Sequence, residues 1–325
     1  MAAPMDVVFS FDTTGSMSQV LDEVKCRLND LIQRLQADIP QLKVGIIAHG
    51  DYCDKDHFYD IRTLDLTNNL PDVVSFVSET TGTGGGDIPE CYELSLRHAR
   101  DMSWREGSRR VFVVIGDAYP HQPDYAQNTL KIDWQEELSS LVKKSVTVYG
   151  VQYGEDPESV SFFQRITGQS GGQHLRLQNM GDICHVIMAI CYRENDPNQL
   201  QNYEAEIRAN NADTALKSGL ENVFDKLGNS TTAPAASHQL SKPSLALLSL
   251  LSSFSSVGSG DTAILRNNSI DEREGSGTIE KHTSIDYSCP PTPINMDTEW
   301  LSDDESNEDG PFKPPKQVKR KHTCK

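Results

Sequence analysis

The chain has 325 residues, a net charge of −17 and a hydrophobic fraction of 37%, and its mean hydropathy of −0.50 predicts that the apolar residues are concentrated in part of it. The length allows one or two domains, and the negative charge argues against nucleic-acid binding through a basic face. No apolar run approaches the roughly 20 residues that span a bilayer, and the opening residues lack the features of a secretory signal. We therefore expect a cytoplasmic protein without a membrane span.

Residues 1–228 alternate between strand and helix patterns. Short apolar runs predict strands at residues 5–11, 42–48, 58–64, 110–116, 146–151 and 174–177. Apolar side chains at spacings of three and four predict helices at residues 20–35, 93–102, 134–143, 157–166 and 181–191. Buried strands that alternate with helices form a parallel sheet covered on both faces. The predicted fold class is therefore α/β, with a doubly wound, mainly parallel, Rossmann-like sheet.

Two segments follow this predicted domain, which is expected to occupy residues 1–194. The partly helical spacing of apolar residues in 195–228 predicts either a helical appendage or a linker. Residues 229–325 are rich in Ser, Thr and Pro without a sustained apolar period, which predicts a disordered tail. The tail contains an acidic run at 300–310 and a basic cluster at 314–321, and the cluster makes a nuclear location the alternative to a cytoplasmic one.

Three polar loops lie next to the predicted strands and helices. The first places Asp12, Thr14 and Ser16 directly after a strand, the second is a glycine-rich stretch that ends at Asp87, and the third begins with Asp117 after the most apolar strand. Doubly wound sheets bind ligands at the carboxyl ends of their strands. Side chains with oxygen atoms suit hard cations such as Mg²⁺, so the three loops predict a metal site. For the first loop the alternative is a cluster that caps the N-terminus of the following helix.

Taken in order, the three loops resemble those of von Willebrand factor A domains. The resemblance covers about residues 5–192 and rests on Asp-x-Thr-x-Ser after the first strand, a glycine-rich loop before the third helix and an aspartate after the fourth strand. The second loop reads GGGDIPE at residues 84–90. This variant is similar to the A domain that accompanies the kinase in Dictyostelium-type alpha-kinases, although no kinase domain is expected here.

The resemblance implies a metal-ion-dependent adhesion site, or MIDAS, that holds Mg²⁺ or alternatively Mn²⁺ or Ca²⁺. The ligands that it implies are Asp12, Thr14, Ser16 and Asp117. The family usually has a threonine in the glycine-rich loop, where this sequence aligns Asp87 and offers Thr83 as the alternative. A third carboxylate makes the site net negative, so we expect Asp87 to strengthen cation binding and to weaken capture of an acidic partner.

Other residues of these loops carry less specific signals. Asp51 and Asp54 follow the second predicted strand and favour a turn or a supporting role behind the metal ligands, with an additional cation site as the alternative. His121 either lines the cleft or is a loop histidine whose hydrogen bonds are made to the backbone. Glu90 is expected to cap a helix or to support the site from behind its ligands.

The predicted function is a divalent-cation-binding protein-interaction module without catalysis. Its partner is a protein of unknown identity at the metal face, and neither nucleic acid nor a membrane is expected. The alternatives are a regulatory fragment related to an alpha-kinase, a hydrolase that uses Asp12, Asp87 and Asp117 around a metal, and a scaffold that keeps the fold without a metal. No glycine-rich loop here is followed by the Lys-Ser/Thr pair of nucleotide-binding P-loops.

Overall fold

The computed structural model describes residues 3–210 and 218–229. Apart from residue 229, the predicted disordered tail lies outside these residues, as do its acidic run and its basic cluster. Within the described ranges, no helix combines the length and the apolar character that crossing a bilayer requires.

Six strands form one sheet in the order β3-β2-β1-β4-β5-β6. They are β1 (Met5–Asp12), β2 (Lys43–His49), β3 (Ile61–Thr67), β4 (Arg109–Gly116), β5 (Val146–Tyr153) and β6 (His174–Leu177). Strand β3 pairs with β2 in antiparallel orientation, and every other pair is parallel. The predicted α/β fold with a doubly wound, mainly parallel sheet is confirmed.

Among the described residues, eight α-helices cover the two faces of the sheet. They are α1 (Ser18–Asp38), α2 (Leu70–Glu79), α3 (Tyr92–Asp101), α4 (Trp134–Lys143), α5 (Pro157–Ser170), α6 (Ile183–Asn195), α7 (Pro197–Asn210) and α8 (Ser218–Gly228). One apolar cluster contains side chains of α1, α2, α6, α7 and α8, and a second contains those of α3, α4 and α5.

The central strands are apolar on both sides because both faces of the sheet are covered. In β1, Val7 and Phe9 belong to the first cluster, whereas Val8 belongs to the second. Strand β4 repeats this alternation, with Val113 in the first cluster and Phe112 in the second. Successive side chains of a strand point to opposite faces, so these strands appear in the sequence as continuous apolar runs.

Helices α5 and α6 each end four residues beyond the predicted bound, and β3 and α2 differ from the sequence prediction for identifiable reasons. Strand β3 begins at Ile61 rather than at residue 58, because the Phe58 amide is held in a turn by the Asp54 carbonyl at 2.8 Å. Helix α2 was not predicted. Its buried side chains are Val73 and Val77, one pair at a spacing of four, which is too short a pattern to indicate a helix.

Helices α7 and α8 occupy the segment at 195–228 that was predicted as an appendage or a linker. Tyr203 of α7 and Phe224 of α8 are buried in the same apolar cluster as α1 and α6. The guanidinium of Arg34 in α1 donates to both carboxylate oxygens of Glu206 in α7, with an Nη1–Oε1 distance of 2.8 Å. These contacts dock the segment against the sheet-covering helices.

We predict that Phe224→Ala lowers the free energy of unfolding by about 3–5 kcal/mol, because it leaves a cavity in a closed apolar cluster. Chemical denaturation of the full chain measures this change. Asp225→Ala, at an exposed position of the same helix, is the matched control and should stay within about 0.5 kcal/mol of the unchanged chain. Equal effects of the two substitutions would show that α8 does not pack on the domain.

Candidate metal centre

The candidate site lies where the winding direction of the sheet reverses. Strands β1 and β4 are neighbours at the centre of the sheet, and β2 and β5 extend it on opposite sides. The loops after β1 and β4 therefore diverge at the carboxyl edge and leave a crevice there. The first and third predicted loops meet at this crevice.

Asp12 ends β1 and anchors the first loop. Its side chain is buried, and its Oδ1 accepts hydrogen bonds from the Thr14 amide at 2.9 Å and from the Thr14 hydroxyl at 2.6 Å. Its Oδ2 accepts a hydrogen bond from the Tyr92 hydroxyl at 2.7 Å. Burial raises the pKa of Asp12, and the charge of Asp51 adds to this, although the bonds from Thr14 and Tyr92 oppose it.

Asp117 follows β4 and faces the first loop. Burial and then the charge of Asp12 raise the pKa of Asp117, while a hydrogen bond with the Ser16 side chain lowers it. Asp12, Thr14, Ser16 and Asp117 are thus joined by direct hydrogen bonds or by charge interaction. The structure brings together four of the five residues that the sequence predicts as metal ligands.

Tyr92 is a residue of this site that the sequence did not reveal. Gly116 makes room for it, because a Cβ at Gly116 would lie 1.8 Å from the Tyr92 hydroxyl oxygen. The same hydroxyl accepts a hydrogen bond from the Ala118 amide at 3.3 Å. Tyr92 therefore fixes Asp12 relative to the loop after β4.

The glycine-rich second loop is tied to its neighbours through backbone groups. The Thr83 amide donates to the Thr13 carbonyl at 2.7 Å, and the Asp54 carboxylate accepts from the amides of Gly84 and Gly85 at 3.2 and 2.8 Å. Gly85 has a φ of +76°, which glycine adopts without strain. Asp54 therefore anchors the second loop through its carboxylate. The Thr83 hydroxyl lies 3.4 Å from that of Thr13.

Glu90 is a buried carboxyl group whose side chain lies against the glycine-rich loop. If residue 85 carried a Cβ, that atom would lie 2.9 Å from the Glu90 Oε1 and 3.5 Å from the Thr14 Cβ. Glu90 is 5% exposed, and its Oε2 has no hydrogen-bond partner among the described residues. Sequence patterns indicated only a cap or a supporting role for it.

The electrostatic environment of Glu90 is strongly negative. Burial raises its pKa to about 11, together with the charges of Asp12, Asp51, Asp54 and Asp87. Glu90 is therefore protonated at neutral pH unless a cation offsets the surrounding charge. The buried, unpartnered oxygen and the excess of carboxylates fit the oxygen-rich environment that a divalent cation requires.

Asp87, the fifth predicted ligand, belongs to a neighbouring group of side chains. One potential ligand atom from each of Asp51, Asp87 and His121 lies within 4.8 Å of the other two. Burial and the charge of Asp51 raise the pKa of Asp87, and His121 opposes this. His121 is buried, with its Nε2 2.7 Å from the Asp51 Oδ1, so its side-chain contact is to a carboxylate, and its backbone amide donates to Glu93 at 3.1 Å.

We predict that Tyr92→Phe lowers the free energy of unfolding by about 1–3 kcal/mol, because Asp12 loses a donor to its buried charge. A double-mutant cycle with Asp12→Asn, followed by urea denaturation, should give a coupling of about 0.5–3 kcal/mol between the two residues. Additive effects would contradict a direct role of the Tyr92 hydroxyl in holding Asp12.

Comparisons with known proteins agree with the fold. The chain is 24% identical over 192 residues to a putative ariadne-like RING finger protein of Acanthamoeba polyphaga mimivirus. The aligned region covers 55% of this chain and 19% of that protein. The chain is also 25% identical over 177 residues to the alpha-protein kinase vwkA of Dictyostelium discoideum. That aligned region covers 50% of this chain and 28% of the kinase. The chain thus spans less than a third of either relative.

A solved von Willebrand factor type A structure from Catenulispora acidiphila superposes with a TM-score of 0.45 at 12% identity, covering 59% of this chain and 43% of that one. The family model of the von Willebrand factor type A domain matches residues 6–183, more than half of the chain. This match spans β1 to the start of α6 and includes all three loops of the candidate site. The chain therefore belongs to the von Willebrand factor type A domain family.

Proposed function

We propose that the chain is a protein-interaction module whose carboxyl-edge crevice binds a divalent cation in a MIDAS-type site. The observation that carries the proposal is the group of buried carboxyl side chains in this crevice, above all Glu90, whose Oε2 has no hydrogen-bond partner among the described residues. Buried charges need an opposite charge or several hydrogen bonds. Asp12 and Asp117 supply carboxylates, and Thr14 and Ser16 supply hydroxyls.

The proposed cation is Mg²⁺, with Mn²⁺ and Ca²⁺ as alternatives, because the donors are all oxygen atoms. A bound ion would supply a positive centre to which an oxygen of a partner could coordinate. Tyr92 and the Thr14 amide would keep the Asp12 carboxylate in place. Asp87 is proposed to act on this site through its charge, from its position beside Asp51 and His121.

The charge balance of the crevice restricts the partner that it would accept. Asp12, Asp117, Asp87 and Glu90 together exceed the charge of one divalent ion. A partner carboxylate would meet repulsion of several kcal/mol at about 4 Å and an intermediate dielectric constant. We therefore propose a protein partner that presents a neutral or basic group, or that coordinates through water. Its encounter is proposed to take place in the cytoplasm, with the nucleus as the alternative.

We propose that the module acts without catalysis. A metal-dependent hydrolase is the alternative, because carboxyl groups with raised pKa values at one cleft are typical of active sites as well. The alpha-kinase name of one relative describes a protein of which this chain spans 28%. Phosphate-ester hydrolysis in Mg²⁺ or Mn²⁺ that disappears in Asp12→Asn would support the hydrolase instead.

We expect titration calorimetry of the full, chelator-treated chain to show Mg²⁺ binding that Asp12→Asn abolishes, because the substitution removes the buried charge at the centre of the site. Asp22→Asn, at an exposed acid of α1, is the control and should bind like the unchanged chain. Mg²⁺ binding that is equal in all three proteins, or absent in all three, would contradict the proposed site.

We expect proximity labelling in cells to identify proteins that the unchanged chain and Asp22→Asn enrich, and that Asp12→Asn enriches at least about tenfold less. A tenfold loss corresponds to 1.4 kcal/mol of binding free energy. If the same proteins were enriched to the same extent by Asp12→Asn, partner binding would not depend on the metal site.

A further inference from the structure

Beyond the proposed function, we propose that Asp51, Asp87 and His121 form a second metal site, which binds a divalent transition-metal ion of the Zn²⁺ type. These side chains come from three loops at the carboxyl edge of the sheet, after β2, before α3 and after β4. They share no residue with the four joined side chains of the first site, Asp12, Thr14, Ser16 and Asp117.

The three side chains are close enough to share one ion. The His121 Nε2 lies 2.7 Å from the Asp51 Oδ1, and one ligand atom of Asp87 completes a group within 4.8 Å. Ligands at about 2.0–2.2 Å from a zinc ion lie at most about 4.4 Å apart. Asp87 is exposed, so a small rotation of its side chain is sufficient to close the remaining gap.

Asp51 and His121 are held in place by their surroundings. Both are buried, and Asp51 accepts further hydrogen bonds from the Tyr52 amide at 2.6 Å and from the Cys53 thiol at 3.0 Å. The His121 ring stacks on that of Tyr125, with centroids 3.9 Å apart and an angle of 16°. A ligand that is already oriented loses little conformational freedom when a metal binds.

Glu93, which the first site does not use, points to a missing positive charge at this place. Its side chain is buried, and its Oε1 has no hydrogen-bond partner in the described part of the chain. Glu90 interacts electrostatically with Asp51 and Asp87. Glu93 interacts with His121 and accepts a bond from its amide. A cation among these groups would offset their charge.

The ligand chemistry selects the class of metal. An imidazole nitrogen suits zinc and related transition metals, whereas Mg²⁺ favours sites made of oxygen atoms. A metal ion at Nε2 needs the lone pair of this nitrogen, so the neutral His121 ring would carry its one proton on Nδ1. The second site should therefore prefer Zn²⁺ over Mg²⁺, in contrast to the first site.

The test is a Zn²⁺ titration of the full chain, after chelator treatment and in excess Mg²⁺, against a competing chromophoric chelator. We expect Asp87→Asn to bind Zn²⁺ at least about tenfold more weakly, because even the loss of a group that only supports a ligand weakens metal affinity by 10–100-fold. His121→Gln should show the same loss. Asp124→Asn, at an exposed acid three residues after His121, is the matched control and should leave the affinity unchanged.

Zn²⁺ affinities of Asp87→Asn and His121→Gln equal to that of the control would overturn the second site. Asp87 is exposed, so its substitution should leave the fold intact even if His121→Gln does not. Asp12→Asn should keep Zn²⁺ binding, and its loss in that variant would assign the ion to the first site instead. Failure of the first site appears separately, as absence of Mg²⁺ binding in the unchanged chain.

Discussion

The burial of carboxylates at the carboxyl edge of the sheet is the constraint on which the rest of the site depends. Asp12 is 1% exposed, and its described partners are an amide and two hydroxyls. Neutral donors lower the energy of a buried charge without neutralising it, which is why the pKa of Asp12 remains raised. Glu90 and Asp117 add further raised pKa values within the same crevice. In their charged form these acids destabilise the fold unless a proton or a cation offsets the charge.

The architecture brings the acidic side chains of three loops together at one edge of the sheet. Because both faces of the sheet are covered by helices, the polar loops are confined to its edges. Hydrogen bonds between loops then fix their spacing, as in the pair formed by Thr83 and Thr13. Because Gly116 has no side chain, the Tyr92 hydroxyl fits against it. Tyr92, at the start of α3, therefore reaches the Asp12 carboxylate at the end of β1. The rigid sheet thus positions groups that are far apart in sequence.

The sequence predicted the elements whose signals are local. Strands β1 and β4 are largely apolar, and the first loop offers three side chains with oxygen atoms within five residues, so the fold and the position of the polar crevice could be predicted. Helix α2 was missed because two buried valines form too short a pattern. Tyr92 was missed as a site residue, and Glu90 was given only a capping or supporting role, for another reason. Their roles arise from contacts with Asp12 and with the glycine-rich loop, and no spacing along the chain encodes those contacts.

The position of Asp87 is a second case in which the sequence did not reveal which residues a side chain contacts. Alignment of the glycine-rich loop suggested that its carboxylate replaces a threonine of the family at the first site. In the structure this carboxylate groups with Asp51 and His121, while the carboxylate of Glu90 lies against Gly85 of the same loop. Gly85 has a left-handed backbone conformation. The number of acids in the loop was thus evident from the sequence, but their distribution between two neighbouring groups depends on the backbone.

The dependence of the site on a cation is tested most directly by the free energy of unfolding of the full chain, measured in EDTA and in Mg²⁺ at about 100 times its dissociation constant. We predict that Mg²⁺ stabilises the unchanged chain by about 2.7 kcal/mol. The stability of Asp12→Asn should be the same in both solutions, because only the charged carboxylate needs a cation. Equal stability of the unchanged chain in the two solutions, with Asp12→Asn less stable in both, would contradict this dependence. Asp12 would then be only the hydrogen-bond anchor of its loop.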